Sequence, residues 1–515
     1  MRRSRPPHRS KGPPILELTV IISGAVLLAL EIVASRVIAP HLGNSIYVWG
    51  ALIGVFLAAL AAGYLLGGVL ADRRPSRGVF AGLVFLAGLL VFPIPMLAPP
   101  VLERILHSAL GPRGAPLLTA ALLFFLPAAA MGMISPFAVR LRARSVATIG
   151  NVAGVLYALS TVGSIAGTLL AAFILIAVMS VQGIVYLLGA VEMALGLLLW
   201  LTGRQIASAL AAGLLAVALV AGLPFAAGRE PPQGLRFQQD TVYHRITVND
   251  EGGVRFLRLD AYWQSGMDLA DPRRTVFAYS DYLHMPIVFK PDARRVLFVG
   301  LGGGTTPKRY HEDYGQMTID VVEIDPAVVA VARDLFGVPA DARLRLFAQD
   351  GRLFVARSRE RYDIIILDAY LIDTIPFHLA TREFFEAVLA HLTPDGVLAS
   401  NVIGALDGGR SGFFRAVYKT LRAVFPAVYV FPVDWGRYAG EETLRNIIVV
   451  GGRTAPALSA EGIWTAAARA RQVAGVTLPR FDEAVGDLYT PRIRIDDVPV
   501  LTDDFAPVEL LVQER

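Results

Sequence analysis

The residues of this 515-residue chain best placed to do chemistry are carboxylates, each standing where an apolar run ends. Tyr362-Asp-Ile-Ile-Ile-Leu closes on Asp368, with Ala369 and Tyr370 after it. Val321-Val322 closes on Glu323-Ile324-Asp325, and Asp350-Gly351 follows a third run. Ahead of all three, Val296-Leu-Phe-Val runs into Gly300-Leu301-Gly302-Gly303-Gly304. Glycines after a strand permit a tight turn and let a ligand approach the N–H groups of a helix start. An acid some twenty residues on can accept hydrogen bonds from ribose hydroxyls, and Glu323 stands 21 residues after Gly302. Glycines and acid together read as a nucleoside site.

Asp350 is placed to take the exocyclic amine of adenine or to cap the next helix, and the two roles are compatible. Asp368, at the carboxyl end of a central strand, lies at the crevice where such sheets bind ligands. The loop lacks the Gly-Lys-Ser/Thr ending of a phosphate loop, and Thr305-Thr306-Pro307 occupy the place of the third glycine of a dinucleotide loop. The chain has no cysteine, which excludes a thiolate nucleophile and a disulfide framework. No His/Asp/Glu cluster has metal spacing, so no metal is expected.

The elements that must hold these residues are strand–helix repeats. Strands are predicted over 295–300, 318–324, 343–348, 362–368, 396–402, 428–433 and 445–451, the last antiparallel at the sheet edge. Helices near 306–314, 326–336, 351–358, 381–392 and 411–424 fall between them, as in a parallel sheet covered on both faces. Before this, 241–264 alternates about a Glu251-Gly-Gly turn and predicts a small β-hairpin domain.

The first 230 residues have another character. Seven apolar stretches (15–39, 47–70, 79–98, 115–138, 152–178, 182–202 and 205–227) are each long enough to cross a bilayer as helix. Gly63-x-x-x-Gly67 and Gly163-x-x-x-Gly167 would let helices approach closely there. Glu31 and Glu192 lie inside spans, where an acid marks either a structural pair, as Arg36 offers Glu31, or a cation pathway. Residues 1–230 hold 16 Lys+Arg against 6 Asp+Glu, and the remainder holds 32 against 37. An acidic soluble half argues against nucleic acid as partner. Basic residues gather in the N-terminal tail, at Arg73, Arg74 and Arg77, and at Arg140, Arg142 and Arg144, which sets that side as cytoplasmic. Seven crossings would put the soluble domain outside. The charge bias outweighs the count, so an inner-membrane, multi-pass protein with a cytoplasmic enzyme domain is expected.

These motifs together resemble the spermidine synthase (polyamine aminopropyltransferase) family, in the bacterial form fused behind a multi-pass membrane region. The resemblance covers about 235–455 and adds Leu259-Asp260-Ala261-Tyr262-Trp263-Gln264, Tyr279-Ser280-Asp281 and Thr381-Arg-Glu-Phe-Phe385. It implies an N-terminal α-helical transmembrane bundle, a small β-hairpin domain and an α/β Rossmann-like domain of the S-adenosylmethionine-dependent transferase type. The divisions are a basic cytoplasmic tail (1–14), the bundle (15–230), the small β domain (235–275), the Rossmann-like domain (276–455) and a C-terminal extension (456–515).

The resemblance also implies a reaction. A propylamine group passes from decarboxylated S-adenosylmethionine to putrescine or a related amine, and methylthioadenosine leaves. Asp368 becomes the catalytic acceptor of the amine proton. His244, Gln264, Gly300, Gly302, Gly303, Gly304, Glu323, Asp325, Asp350 and Gly351 become donor-binding, and Tyr279, Asp281, Tyr370 and Asp373 substrate-binding. Implied partners are a small amine, the lipid bilayer and, as an assembly option, a homodimer.

The chain departs from the family at three places. Gly303 replaces the loop aspartate that holds the donor's propylamine, Leu371 replaces the second acid of the gate loop, and His244 replaces a donor-contacting glutamine. Two alternatives follow: methyl transfer from intact S-adenosylmethionine to a membrane-associated or exported substrate, and a transporter or sensor that only binds the adenosyl ligand or a polyamine. His378 is read as structural before substrate contact or proton carrier, and Asp503-Asp504 as a cap or a further acid.

Overall fold

Helix pairs in the N-terminal half of the computed structural model close on glycines. The structure describes residues 15–202, 213 and 233–512, apart from 43–45, 107, 109, 144, 261, 371–374, 439 and 455–457. Its helices are α1 (Ile15–Leu42), α2 (Ile46–Arg73), α3 (Arg77–Val91), α4 (Ile94–Leu106), α5 (Gly111–Gly132), α6 (Ile134–Arg142), α7 (Val146–Leu170, prolonged by a π-turn at Ala171–Leu175) and α8 (Val181–Thr202). A Cβ on Gly163 would stand 1.9 Å from the Ile21 carbonyl oxygen, and one on Gly63 2.3 Å from that of Ala129. The two small-residue pairs thus seat α7 on α1 and α2 on α5. Gly88, Gly189 and Gly196 do the same between α3 and α8.

Among the described residues, five helices are long and apolar enough to cross a membrane. Arg77–Val91 and Ile94–Ile105, bent by 48°, make a sixth if counted as one span. Pro93 stands at that bend, with no N–H to continue the ladder. The stretch expected at 205–227 lies outside the described residues. The basic residues gather at one end of the bundle: Arg142 pairs with Glu17 at the start of α1, and Arg140 with Asp72 at the end of α2. Trp200 near the end of α8 donates to the Gly78 carbonyl beside Arg77, so α8 also finishes at that end.

The second unit begins with a four-stranded sheet in the order β1 (Leu235–Asp240), β2 (Arg245–Glu251), β3 (Val254–Leu259), β4 (Tyr262–Asp268). Gly252 and Gly253 carry positive φ (58° and 80°) in the β2–β3 turn, the conformation a two-residue hairpin needs. Ile246, Val248, Leu257 and Leu259 of this sheet pack on Val328, Val331 and Phe336 of a helix in the next layer, α10.

That layer follows as β5 (Arg295–Val299), α9 (Thr305–Asp313), β6 (Thr318–Glu323), α10 (Pro326–Phe336), β7 (Leu344–Ala348), α11 (Gly351–Arg357), β8 (Tyr362–Leu367), α12 (Arg382–His391), β9 (Leu392–Gly404), α13 (Gly412–Val424), β10 (Ala427–Pro432), β11 (Arg445–Gly452) and α14 (Ala460–Ala474). The sheet order is β10-β11-β9-β8-β5-β6-β7. β9, β8, β5, β6 and β7 are parallel, and β11 is antiparallel to both its neighbours. This is the Rossmann-like layer anticipated above, with one correction. β11 is not at the edge but lies between β9 and β10, where Ile447, Ile448, Val449 and Val450 are fully buried. A run apolar on both faces belongs inside a sheet.

Candidate active site

The strand order reverses between β5 and β8, whose chains then leave in opposite directions and open a crevice at their carboxyl ends. Gly300 and Asp368 flank that opening. Gly300 has φ +103°, and a Cβ there would lie 2.1 Å from the Asp368 carbonyl oxygen. Only glycine lets the two strand ends come this close. Gly302 (φ +54°) and Gly304 (φ +72°) complete the turn, and Gly304 caps α9.

Glu323 ends β6 beside the loop. Its Oε2 accepts from the Leu301 N–H (3.1 Å) and its Oε1 from the Asp325 N–H (3.1 Å), which fixes the carboxylate over the turn. Asp325 is fully buried and caps α10, accepting from Ala327 at 2.9 Å. Asp350 caps α11, accepting from Leu353 at 2.8 Å, and its second oxygen lies 3.6 Å from Nε2 of His378. A Cβ on Gly351 would meet Val299 at 2.5 Å, so this glycine lets α11 approach β5.

A cavity of about 510 Å³ fills the crevice, lined among others by Gln264, Tyr279, Gly300, Gly302, Asp368 and Tyr370. Asp368 is its chemical centre. Its Oδ1 accepts from Nδ2 of Asn401 (2.9 Å), and Oδ1 of Asn401 accepts from Nδ2 of Asn446 (3.1 Å). Tyr370 OH donates to the Asn401 carbonyl (2.6 Å), and Tyr279 OH to that of Gln264 (3.3 Å). Burial pushes the Asp368 carboxyl up to about 6, with the Asn401 donor holding it down in part. Burial, and next the charge of Asp368, keep both tyrosines neutral by raising their pKa well above the ordinary value. Such a carboxylate is ionised at neutral pH yet poorly solvated, and is fitted to take a proton from an amine in the cavity.

Several expected contacts lie elsewhere. Asp281 lines a second cavity of about 520 Å³ with Thr275, Arg309 and Arg480, and accepts from Thr275 Oγ1 at 2.7 Å. Burial raises its pKa. It shares the helical turn Tyr279–Tyr282 with Tyr279, but two residues on a helix point about 200° apart, so only the tyrosine faces Asp368. His244 sits buried in the turn between β1 and β2 and does not line the Asp368 cavity. Gly303, Gly304, Glu323, Asp325, Asp350 and Gly351 frame the loop without lining that cavity. Asp373 lies outside the described residues. Asp503 holds Arg352 (2.7 Å) and Thr381 (2.8 Å), a structural tie from the C-terminal segment.

Sequence reasoning missed Ser265, Asn401, Asn446 and Asp434, all on the cavity wall. Asn401 had a signal: it interrupts the buried run Val397–Val402 one strand over from Asp368. Ser265 had none. It donates nothing to a motif, yet its Oγ accepts from the Gly303 N–H at 2.8 Å, and a Cβ on Gly303 would meet its Cβ at 2.7 Å. Asp434, with φ +58°, is ion-paired to Arg480.

Residues 276–431 match the family described as the spermine/spermidine synthase domain. A protein of Bifidobacterium longum named "Probable polyamine aminopropyl transferase" is 28% identical over 287 residues, which are 54% of this chain and 62% of that one. The polyamine aminopropyltransferase of Vibrio vulnificus is 28% identical over 298 residues, 56% of this chain and 94% of that one. The human eEF1A lysine and N-terminal methyltransferase is 33% identical over 151 residues, covering 27% of this chain and 21% of that one. If Glu323 holds a ribose, Glu323→Ala weakens methylthioadenosine binding by about 1.5–3 kcal/mol, the scale of a charged hydrogen bond. Calorimetry on the full chain checks this, and undiminished affinity removes Glu323 from the site.

Proposed function

Through residues 276–431 the chain belongs to the spermine/spermidine synthase family, a family of transferases, and we propose that it is a membrane-anchored aminopropyltransferase acting on a small amine. The observation that carries this is Asp368: a half-buried carboxylate with a pKa raised to about 6, in the crevice beside the glycine turn. The adenosyl part of decarboxylated S-adenosylmethionine would rest on Gly300–Gly304, with Glu323 at the ribose and Asp350 at the adenine. The amine must lose a proton before its lone pair can attack. Its nitrogen then forms a bond to the propyl carbon, the carbon–sulfur bond breaks, and methylthioadenosine leaves with the electron pair. Asp368 takes the proton. Tyr279 and Tyr370, held neutral, shape the approach and offer hydroxyls rather than charge.

A second reading rests on Gly303. Ser265 fills the space where the loop aspartate of the family would stand, so the chain lacks the carboxylate that grips a decarboxylated donor's amine. Methyl transfer from intact S-adenosylmethionine is the alternative this favours. The product separates them: methylthioadenosine for aminopropyl transfer, S-adenosylhomocysteine for methyl transfer.

The anchor is proposed from the five apolar helices and the bent sixth. The arginine-rich end of the bundle is the one that positive-inside bias puts in the cytoplasm, and a cytoplasmic enzyme domain is proposed from that charge bias alone. A reporter fused after Arg515 should be active only as a cytoplasmic fusion; activity only in the periplasm overturns the placement.

Asp368→Asn should abolish amine-dependent methylthioadenosine release while leaving nucleoside binding intact, since only the proton acceptor is lost. Turnover near the wild-type level would sink the mechanism. The pH profile gives a separate test. Protonated Asp368 cannot accept a proton, so kcat/KM should fall as pH drops through about 6 and level off above it. The Asn401 N–H stabilises the ionised form. Its removal in Asn401→Leu should therefore move the limb upward, by about 1–2 pH units for a charged hydrogen bond. A limb that stays put or moves down removes Asn401 from control of Asp368.

A further inference from the structure

Glu192 stands twelfth of the 22 residues of α8, about 15 Å from either end at the helical rise. It is fully buried. Its Oε2 accepts from Ser23 Oγ of α1 at 3.2 Å, and its Oε1 is covered and has no hydrogen-bond partner among the described residues. α3 seals the remaining side, because a Cβ on Gly88 would lie 2.8 Å from the Glu192 Cβ. No ion pair to Glu192 occurs among the described residues. Other titratable groups on the packed helices are remote along their axes. Glu17 and Glu31 are six and eight residues from Ser23, Tyr186 is six from Glu192, and Arg77 is eleven from Gly88. Glu103 and Arg104 end α4, whose Leu102 packs beside Val181, eleven residues before Glu192.

An ionised carboxylate so enclosed, with one hydroxyl as its whole solvation, is costly in an apolar surrounding. No water-sized sphere reaches it, which leaves no space for a metal ion or an amine. A proton is the one cation that fits. We propose that Glu192 and Ser23 form a proton-binding site at the centre of the helical bundle, so that the bundle takes up and releases a proton and is more than an anchor. The step is simple: the carboxylate takes a proton from water to become the neutral carboxyl, and no other bond changes. The opening that admits water is assigned to the α3–α8 seam, where Gly88 brings the two backbones together beside Glu192, between the ring contacts Phe92–Tyr186 and Phe85–Trp200. This inference is independent of the reaction at Asp368.

Infrared spectroscopy of the full chain in lipid vesicles tests it. The wild-type minus Glu192→Gln difference at pH 7 should contain one protonated-carboxyl band, absent from the variant, that shifts when H₂O is replaced by D₂O. Ser23→Ala should keep the band and move it to higher frequency, since the carbonyl loses its donor. This second variant serves if the glutamine variant fails to fold. A difference showing only an ionised carboxylate, a protonated band that ignores D₂O, or a band indifferent to Ser23→Ala would each overturn the proposal. The last two would leave Glu192 as interhelical glue.

Discussion

The C-terminal half is governed by how close β5 and β8 end to one another. Main chain meets main chain there: the Asp368 N–H bonds the Val299 carbonyl at 2.9 Å, the Gly300 N–H bonds that of Val322 at 2.8 Å, and no side chain fits at position 300. That closeness aims the Asp368 side chain into the crevice and turns the glycine loop across its mouth. It also buries the carboxylate, and burial is what raises its pKa toward the working range of a base. Geometry and acidity are one consequence of a single glycine.

The Asp368–Asn401–Asn446 line shows how the sheet protects that arrangement. An asparagine amide can present either its oxygen or its NH₂ group, and only the NH₂ favours an ionised carboxylate. With Asn446 donating to the Asn401 oxygen, the Asn401 amide is left pointing its NH₂ at Asp368. Each residue comes from a different strand end, on β8, β9 and β11. The line therefore exists only because β11 runs antiparallel beside β9.

This explains what could be read in advance. The glycine turn, Glu323 and Asp368 were legible because their signals are local: a strand, a turn and an acid at its end. The Asn446 contact was not, since β11 had been expected at the sheet edge and residues facing an edge have no fixed partner. Ser265 depended on β4 crossing the glycine loop, which follows from the small sheet packing on α10 through Ile246, Val248 and Leu257. No periodicity within β4 announces it. Asp281 falls away from the Asp368 cavity for a simpler reason: it shares a short helical turn with Tyr279, and the sides of that turn diverge. The same contact that hid Ser265 accounts for Gly303, which reads as a missing carboxylate in the sequence and as a space already taken in the fold.

Two carboxylates drawn out of water, Asp368 in part and Glu192 fully, then pose one physical problem with different answers. Asp368 has an amide donor, two neutral phenols nearby and an open cavity, so its proton can be exchanged with a bound ligand. Glu192 has one hydroxyl and a wall of backbone, so its proton has nowhere to go until helices part. In the first case the surrounding polar groups tune how readily the acid ionises; in the second, access does. A carboxylate in a cavity can serve a substrate, whereas one sealed between helices can only report on, or drive, the movement of those helices.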